Sequence, residues 1–196
     1  MSVIACSCEQ APANYSTQWT GANVYELTTG VVIVAPPEVQ AVAVPILRQY
    51  SPEDLIRFRP HITVLFPFVP FGQVDSACET LRALGQQIAP FDLTIAGYGR
   101  FPGVIYLKPA NPEPIRAIFR RIRAAFPDYL PYEGKFGDDI QPHMTVATFD
   151  PEAEQPMTLP PDYPPVTFRV KRLHLWYGVR DTDLPWLTYD VIPLRG

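Results

Sequence analysis

Pro60-His61-Ile62-Thr63-Val64 and Pro142-His143-Met144-Thr145-Val146 are two copies of one pattern, P-H-x-T-V, with 82 positions between the histidines. The chain holds three histidines, and two of them stand in this repeated setting. In a β-strand, residues i and i+2 point to the same face. Each copy therefore presents one His and one Thr on one face, while Ile62 and Val64, or Met144 and Val146, pack on the other. Two such strands facing one cleft would bring two imidazoles and two hydroxyls around a single anion.

Outward from the motifs, the chain reads as alternating short elements. Gly30-Val31-Val32-Ile33-Val34-Ala35 is a β-branched run stopped by Pro36-Pro37, a buried strand. Val39, Val42, Ile46 and Leu47 have helical spacing, and Pro45 inside them predicts a kink. Ser51-Pro52-Glu53-Asp54 reads as a second helix start with Ser51 as its cap. After the first motif, Val74, Ala77, Cys78, Leu81, Leu84 and Ile88 mark an amphipathic helix with Cys78 on the core face. Phe91–Ala96 alternates as a half-buried strand. Gly97, Gly99 and Gly103 flank a turn, and Val104–Leu107 is the returning strand. Asn111-Pro112-Glu113 starts a helix with a core stripe of Ile115, Ile118, Phe119, Ile122 and Phe126. Its arginines (Arg116, Arg120, Arg121 and Arg123) fall mainly elsewhere and read as a solvated face. Residues 127–141 form a polar loop into the second motif, and 151–165 a Pro-rich connection. Residues 166–177 read as one long strand, and 186–192 as a final one. His174, followed by Leu-Trp, reads as structural or as a cleft rim. Each half of the chain thus approximates one α+β unit with one motif strand. The expected fold class is α+β: two pseudo-symmetric lobes with antiparallel sheets around a central cleft, helices outside.

Composition narrows the function classes. The 196 residues, 47% hydrophobic, fit one domain. Residues 1–22 show no sustained period and are expected to be a poorly ordered arm, with 23–196 as a single bilobal domain. The 24 prolines punctuate loops. A formal net charge of −4 argues against a long nucleic-acid duplex and leaves room for a short oligonucleotide in a local basic cleft. Three cysteines without a framework (Cys6, Cys8 and Cys78) suggest a reducing interior. Cys6-Ser7-Cys8 lacks partners for a zinc site. No run reaches a membrane span, and no basic segment precedes an apolar one at the N-terminus. A cytoplasmic monomer without metal or cofactor is expected.

The paired motifs carry the chemistry. An imidazole holds or releases a proton near neutral pH. One neutral His can take a proton from water or a ribose hydroxyl while the other, protonated, donates to the leaving oxygen. The Thr hydroxyls can bond the non-bridging phosphate oxygens, where charge accumulates. The sequence has no G-x-x-x-x-G-K-[ST] loop, no H-E-x-x-H helix and no G-x-S-x-G elbow.

These residues resemble the 2H phosphoesterase superfamily, and within it the bacterial 2′-5′ RNA ligase-like, cyclic phosphodiesterase branch, over roughly residues 28–195. The strand Arg59–Phe68 is similar to the family's first-motif strand, and Gly99–Leu107 to the segment between its motifs. The resemblance implies His61 and His143 as the catalytic pair, Thr63 and Thr145 as phosphate holders, and metal-independent cleavage or formation of phosphodiesters involving a ribose 2′ oxygen. The partner implied is a nucleotide or short RNA with a 2′,3′-cyclic phosphate or a 2′-5′ linkage. One departure stands out. Several relatives carry an Arg or Tyr shortly after the second motif, whereas Val146-Ala147-Thr148-Phe149 has neither. Arg100, Tyr106 and Tyr177 are therefore candidates for a cleft rim, and hydrolysis is favoured over RNA-end joining. The alternatives are a 2′-5′ RNA ligase, a nucleotide- or RNA-binding module without turnover, and a structural protein that keeps the strands as relics.

Overall fold

A computed structural model describes residues 26–150, 152 and 162–196. The expected arm at 1–22 and most of the Pro-rich connection lie outside the described residues.

The chain enters strand β1 (Leu27–Val34), then helices α1 (Pro37–Tyr50) and α2 (Pro52–Arg57), and reaches the first motif strand, β2 (His61–Leu65). Helix α3 (Val74–Gly85) follows, then strands β3 (Phe91–Phe101) and β4 (Val104–Pro109) and helix α4 (Glu113–Ala125). The second motif strand is β5 (Met144–Thr148), and β6 (Val166–Val170), β7 (Arg172–Val179) and β8 (Leu187–Pro193) complete the fold. Two four-stranded sheets result, ordered β2-β1-β7-β8 and β5-β4-β3-β6. All their pairings are antiparallel. The fold is α+β with two sheets, as expected.

Symmetry relates β1–α1–α2–β2 to β4–α4–β5: strand, helix, motif strand, with the two strands paired in each case. It does not divide the chain at its midpoint. The expected single strand over 166–177 breaks at Lys171, and its halves join different sheets: β6 pairs with β3, and β7 with β1. The Lys171 carbonyl accepts from Leu194 N at 2.9 Å, so this break point bonds outside both ladders. The strand pair β7–β8 thus returns to complete the first sheet.

Both motif strands are edge strands, β2 of one sheet and β5 of the other. Each is held by the helix of the opposite unit, since α1 packs on β5 and α4 on β2. Ile62, Val64, Met144 and Val146 are all 0% exposed, which fixes the register through their fully buried face. Burial of each is worth about 1.5–3 kcal/mol. A one-residue slip would expose them and turn both histidines inward.

Helix α1 runs through Pro45; Pro45 and Ala41 lie on its exposed face, where water can take the carbonyl left free. Two local expectations are corrected. Strand β3 continues through Gly97 and Gly99. Gly97 (φ +70°) sits where the β3–β4 register shifts, and the turn lies at Pro102-Gly103. Ser51 does not cap α2 through its side chain. It is fully buried, and its Oγ accepts from Thr148 N at 2.7 Å, pinning the end of β5 to the α1–α2 corner.

Ser51→Ala removes the acceptor from that partly buried N–H, which costs about 1–3 kcal/mol. Urea denaturation should show the loss. An unchanged midpoint would mean that Ser51 does not join the two units.

Candidate active site

Strand alternation sets the site. The pairs Val34↔His61 and Val32↔Thr63 place β2 on the same sheet face as Val32. Gly30↔Trp176 and Val32↔His174 extend that face across β7. In the second sheet, Thr145 lies opposite Tyr106, and Tyr106 opposite Gly99. His61, Thr63 and Thr145 line one cleft of about 360 Å³, with Arg57, Arg59, Arg180, Phe58, Phe66, Tyr132, Trp176, Trp186, Asp54 and Asp181 among its other walls. His143 stands just beyond that lining, close enough for its charge to lower the pKa of His61.

The histidines are held alike. His61 Nδ1 lies 2.8 Å from Arg59 O, and His143 Nδ1 lies 2.7 Å from Gln141 O, in both cases the carbonyl two residues upstream. A carbonyl only accepts, so Nδ1 carries the proton and donates. Each Nε2 is then the nitrogen left to accept or deliver a proton. Aromatic rings brace both imidazoles. Trp176 and Phe58 lie 4.8 and 5.7 Å from His61, and Phe101 and Tyr106 lie 5.0 and 5.3 Å from His143.

Burial pushes His61 down to about 4, with His143 and Arg59 adding repulsion, although the bond to Arg59 O works the other way. Burial also lowers His143, against its bond to Gln141 O, and among the described residues no neighbouring cation adds to the effect. Both imidazoles are therefore neutral at neutral pH. Each disfavours charge on its partner, so the pair holds one proton more readily than two.

The rim candidates separate. Tyr106 is buried against His143. Only a glycine at 99 admits its ring, since a Cβ there would lie 2.2 Å from Tyr106 Cζ. Arg100 is exposed and lies opposite buried Ile105, on the sheet face away from Tyr106. Tyr177 is buried with Phe71 and Tyr189, outside the cleft lining. Its neighbour Trp176 faces the cleft instead, and alternation from His174 would have found it.

Several site residues carried no sequence signal. Tyr132 comes from the 127–141 loop in a left-handed backbone conformation (φ +50°) and hydrogen-bonds Thr63 with its side chain. Its N–H reaches Phe66 O across the cleft, and Glu133 beside it bonds Arg180 at 2.6 Å. The loop is anchored by helix arginines expected to be solvated: Arg123 donates to the carbonyls of Phe126, Pro127 and Tyr129, and Arg116 to Ile140 O. Trp186 lies over Gly178, where a Cβ would sit 2.6 Å from the indole, and contacts Phe66 and Phe58 at 5.5 and 5.9 Å. Arg57 Nε and the indole N–H groups of Trp176 and Trp186 are buried without a hydrogen-bond partner among the described residues. Such donors are rare in folded proteins and cluster here around one cleft. Among the described residues, no three His, Cys, Asp or Glu side chains come together as metal ligands.

The model of the 2′-5′ RNA ligase superfamily matches residues 34–182, which include both motifs and most of the cleft lining. The chain belongs to this superfamily. The likeness to 2H phosphoesterases read from the two motifs therefore holds. Among solved structures, Escherichia coli LigT complexed with NADP+ is similar at 17% identity and TM-score 0.61, covering 88% of this chain and 99% of that one. LigT complexed with 3′-AMP gives 17% and 0.61, covering 87% and 99%. TT0787 of Thermus thermophilus gives 21% and 0.64, covering 86% and 98%. At these identities they establish a shared fold. No curated protein sequence matches the chain. No helix among the described residues is long and apolar enough to cross a membrane.

The lowered histidines have a consequence for stability. Unfolded His takes up protons below about pH 6.5, whereas folded His61 and His174 resist until about 4. Over that window the unfolded state binds more protons, so stability should fall as the pH drops from about 6.5 toward 4. Thermal unfolding at several pH values checks this, and His61→Gln should flatten the slope. A melting temperature that holds or rises between pH 6.5 and 4 would show that the imidazoles are not held neutral.

Proposed function

We propose that the protein is a metal-independent phosphodiesterase acting on 2′,3′-cyclic phosphates or 2′-5′-linked nucleotides at RNA ends. The observation that carries the reading is the matched pair of imidazoles, each with Nδ1–H fixed on a carbonyl and Nε2 left for proton transfer, beside two threonines and three arginines. The nucleotide ligands named for LigT, 3′-AMP, ATP and NADP+, fit a nucleotide-sized cleft of this kind. The cysteine usage fits a cytoplasmic setting.

In the hydrolysis of a 2′,3′-cyclic phosphate, neutral His61 takes a proton from water at Nε2 as the water oxygen bonds phosphorus. Protonated His143 gives its Nε2 proton to the departing ribose oxygen as that P–O bond breaks. The product is a phosphate monoester and a free hydroxyl, and the two histidines have exchanged roles as proton carriers. His61 is the base in this scheme because Arg59 adds to its burial penalty, while His143 bears burial without a cationic neighbour. A bound phosphate anion raises the proton affinity of both rings and so favours the protonated acid. Thr63 and Thr145 donate to the non-bridging oxygens. Arg57, Arg59 and Arg180 balance the charge that an Arg or Tyr after the second motif would otherwise meet. The indole and phenyl rings of Trp186, Phe66 and Phe58 give a nucleobase a surface to stack on.

Hydrolysis of the four nucleoside 2′,3′-cyclic monophosphates in the presence of chelator tests the reading. His61→Ala and His143→Ala should each lose roughly 10²–10⁴-fold in kcat. Unaltered turnover in the double variant would remove the proposal. The assignment of roles has its own test. A nucleotide p-nitrophenyl phosphodiester needs no acid for its leaving group. Its cleavage should survive largely in His143→Ala and be lost in His61→Ala, and the reverse pattern would exchange the two roles.

A further inference from the structure

A second groove, of about 240 Å³, adjoins the cleft. It is lined by the end of β1 and by the β6–β7 crossing, including Val34, Arg169, Lys171, Arg172 and His174. Neighbouring residues of one sheet line the two spaces. Val32 lines the cleft, and its strand partner His174 lines the groove. By strand alternation, Arg172 and His174 share the face of Trp176, which touches His61. Arg59 lies between the two spaces. It lines the cleft, stands over Trp176 at 5.7 Å, donates to Thr188 Oγ1 at 3.2 Å, and its charge is felt at both His61 and His174.

The charges in the groove are of one sign. Arg169 is paired with Asp92 at 3.2 Å. Lys171 and Arg172 are exposed and form no ion pair among the described residues. His174 Nδ1 is buried and has no hydrogen-bond partner there. A cationic track therefore leads from the catalytic pair through Arg59 to Arg172 and Lys171, on a chain whose net charge is −4. β2 and β7 lie two strand spacings apart, about 10 Å. The track thus extends beyond the reach of one phosphate held by Thr63 and Thr145.

We propose that this groove binds a second phosphate group, one further along an oligonucleotide whose reacting end occupies the cleft, so that the favoured substrate is a short single strand and not a mononucleotide. The proposal rests on the phosphodiesterase reading for the position of the reacting end. Arg172 supplies a fork of donors to the phosphate, Lys171 a mobile charge, and the apolar floor of Val34 and Phe168 carries the sugar. Phosphate contacts of this kind position a strand without reading its sequence.

The test compares adenosine 2′,3′-cyclic monophosphate with an oligoadenylate tetranucleotide bearing a 2′,3′-cyclic end, in the wild type, Arg172→Ala, Arg172→Lys and Lys171→Ala. The wild type should prefer the tetranucleotide. Arg172→Ala should lower its kcat/KM about tenfold or more, through KM, and leave the mononucleotide within about twofold, because only a charge-assisted phosphate contact is lost. Arg172→Lys should recover part of the loss. Binding of a labelled 3′-phosphorylated tetranucleotide by fluorescence polarisation reads the groove without turnover. The slope of log affinity against log salt should fall by about 0.7 for each phosphate contact removed. Equal losses for both substrates, or no loss for either, overturn the groove while leaving the phosphodiesterase intact. Salt-dependent, Arg172-dependent binding without turnover of either substrate would fail the phosphodiesterase and retain the groove. Absence of both binding and turnover overturns both.

Discussion

The structure depends on the meeting of two sheet edges. An exposed edge strand offers unpaired backbone groups and is normally shielded by charge, proline or another element. Here β2 and β5 approach each other, and each is clamped from behind by the helix of the opposite unit. The apolar half of each motif is consumed in this clamp, with all four side chains fully buried. What remains on the free side is the His and the Thr. The geometry of the His/Thr face is thus a by-product of core packing, and the histidines need no loop of their own to be positioned.

The same arrangement explains why two chemically equal groups become unequal. Both imidazoles are tethered through Nδ1 to a carbonyl two residues upstream, a contact set by the strand entry itself. The residues around them differ. Trp176 of the first sheet, with Phe58 and Arg59 from the segment between α2 and β2, surrounds His61, and Phe101 and Tyr106 of the second sheet stand by His143. Symmetry of backbone with asymmetry of surroundings places two alike imidazoles in unlike environments.

Much of this was legible in the sequence, for identifiable reasons. A period of two in P-H-x-T-V fixes which side chains share a face, and the stripes of α3 and α4 fix their core sides. Both signals are local. What escaped is non-local. Nothing in residues 166–177 announces that β6 and β7 part at Lys171, because each half alternates well enough to be a strand, and the partner is chosen by the rest of the fold. Ser51 followed by Pro52 has every local mark of a cap, yet its hydroxyl serves a strand 97 residues away. Tyr132 and the cleft arginines sit on loops and at the ends of elements, where residue type says little about direction. Tyr177 and Trp176 are one position apart in a strand, and in a period-two element one position is the difference between the two faces.

The return of β7 and β8 to the first sheet has a consequence for how the protein comes into being. His61 emerges early in synthesis, but the strand that lies behind its sheet face, and the Trp176 that braces it, emerge more than a hundred residues later. The β1–β2 pair must wait as an incomplete sheet, with one edge of β1 open until residues 172–179 arrive. Loop closure over that separation is slow compared with local pairing. The second sheet, whose strands all lie within 91–170, can assemble first and offer β5 as a surface for α1. The molecule is then expected to mature from its middle outward, and the face that carries His61 closes last.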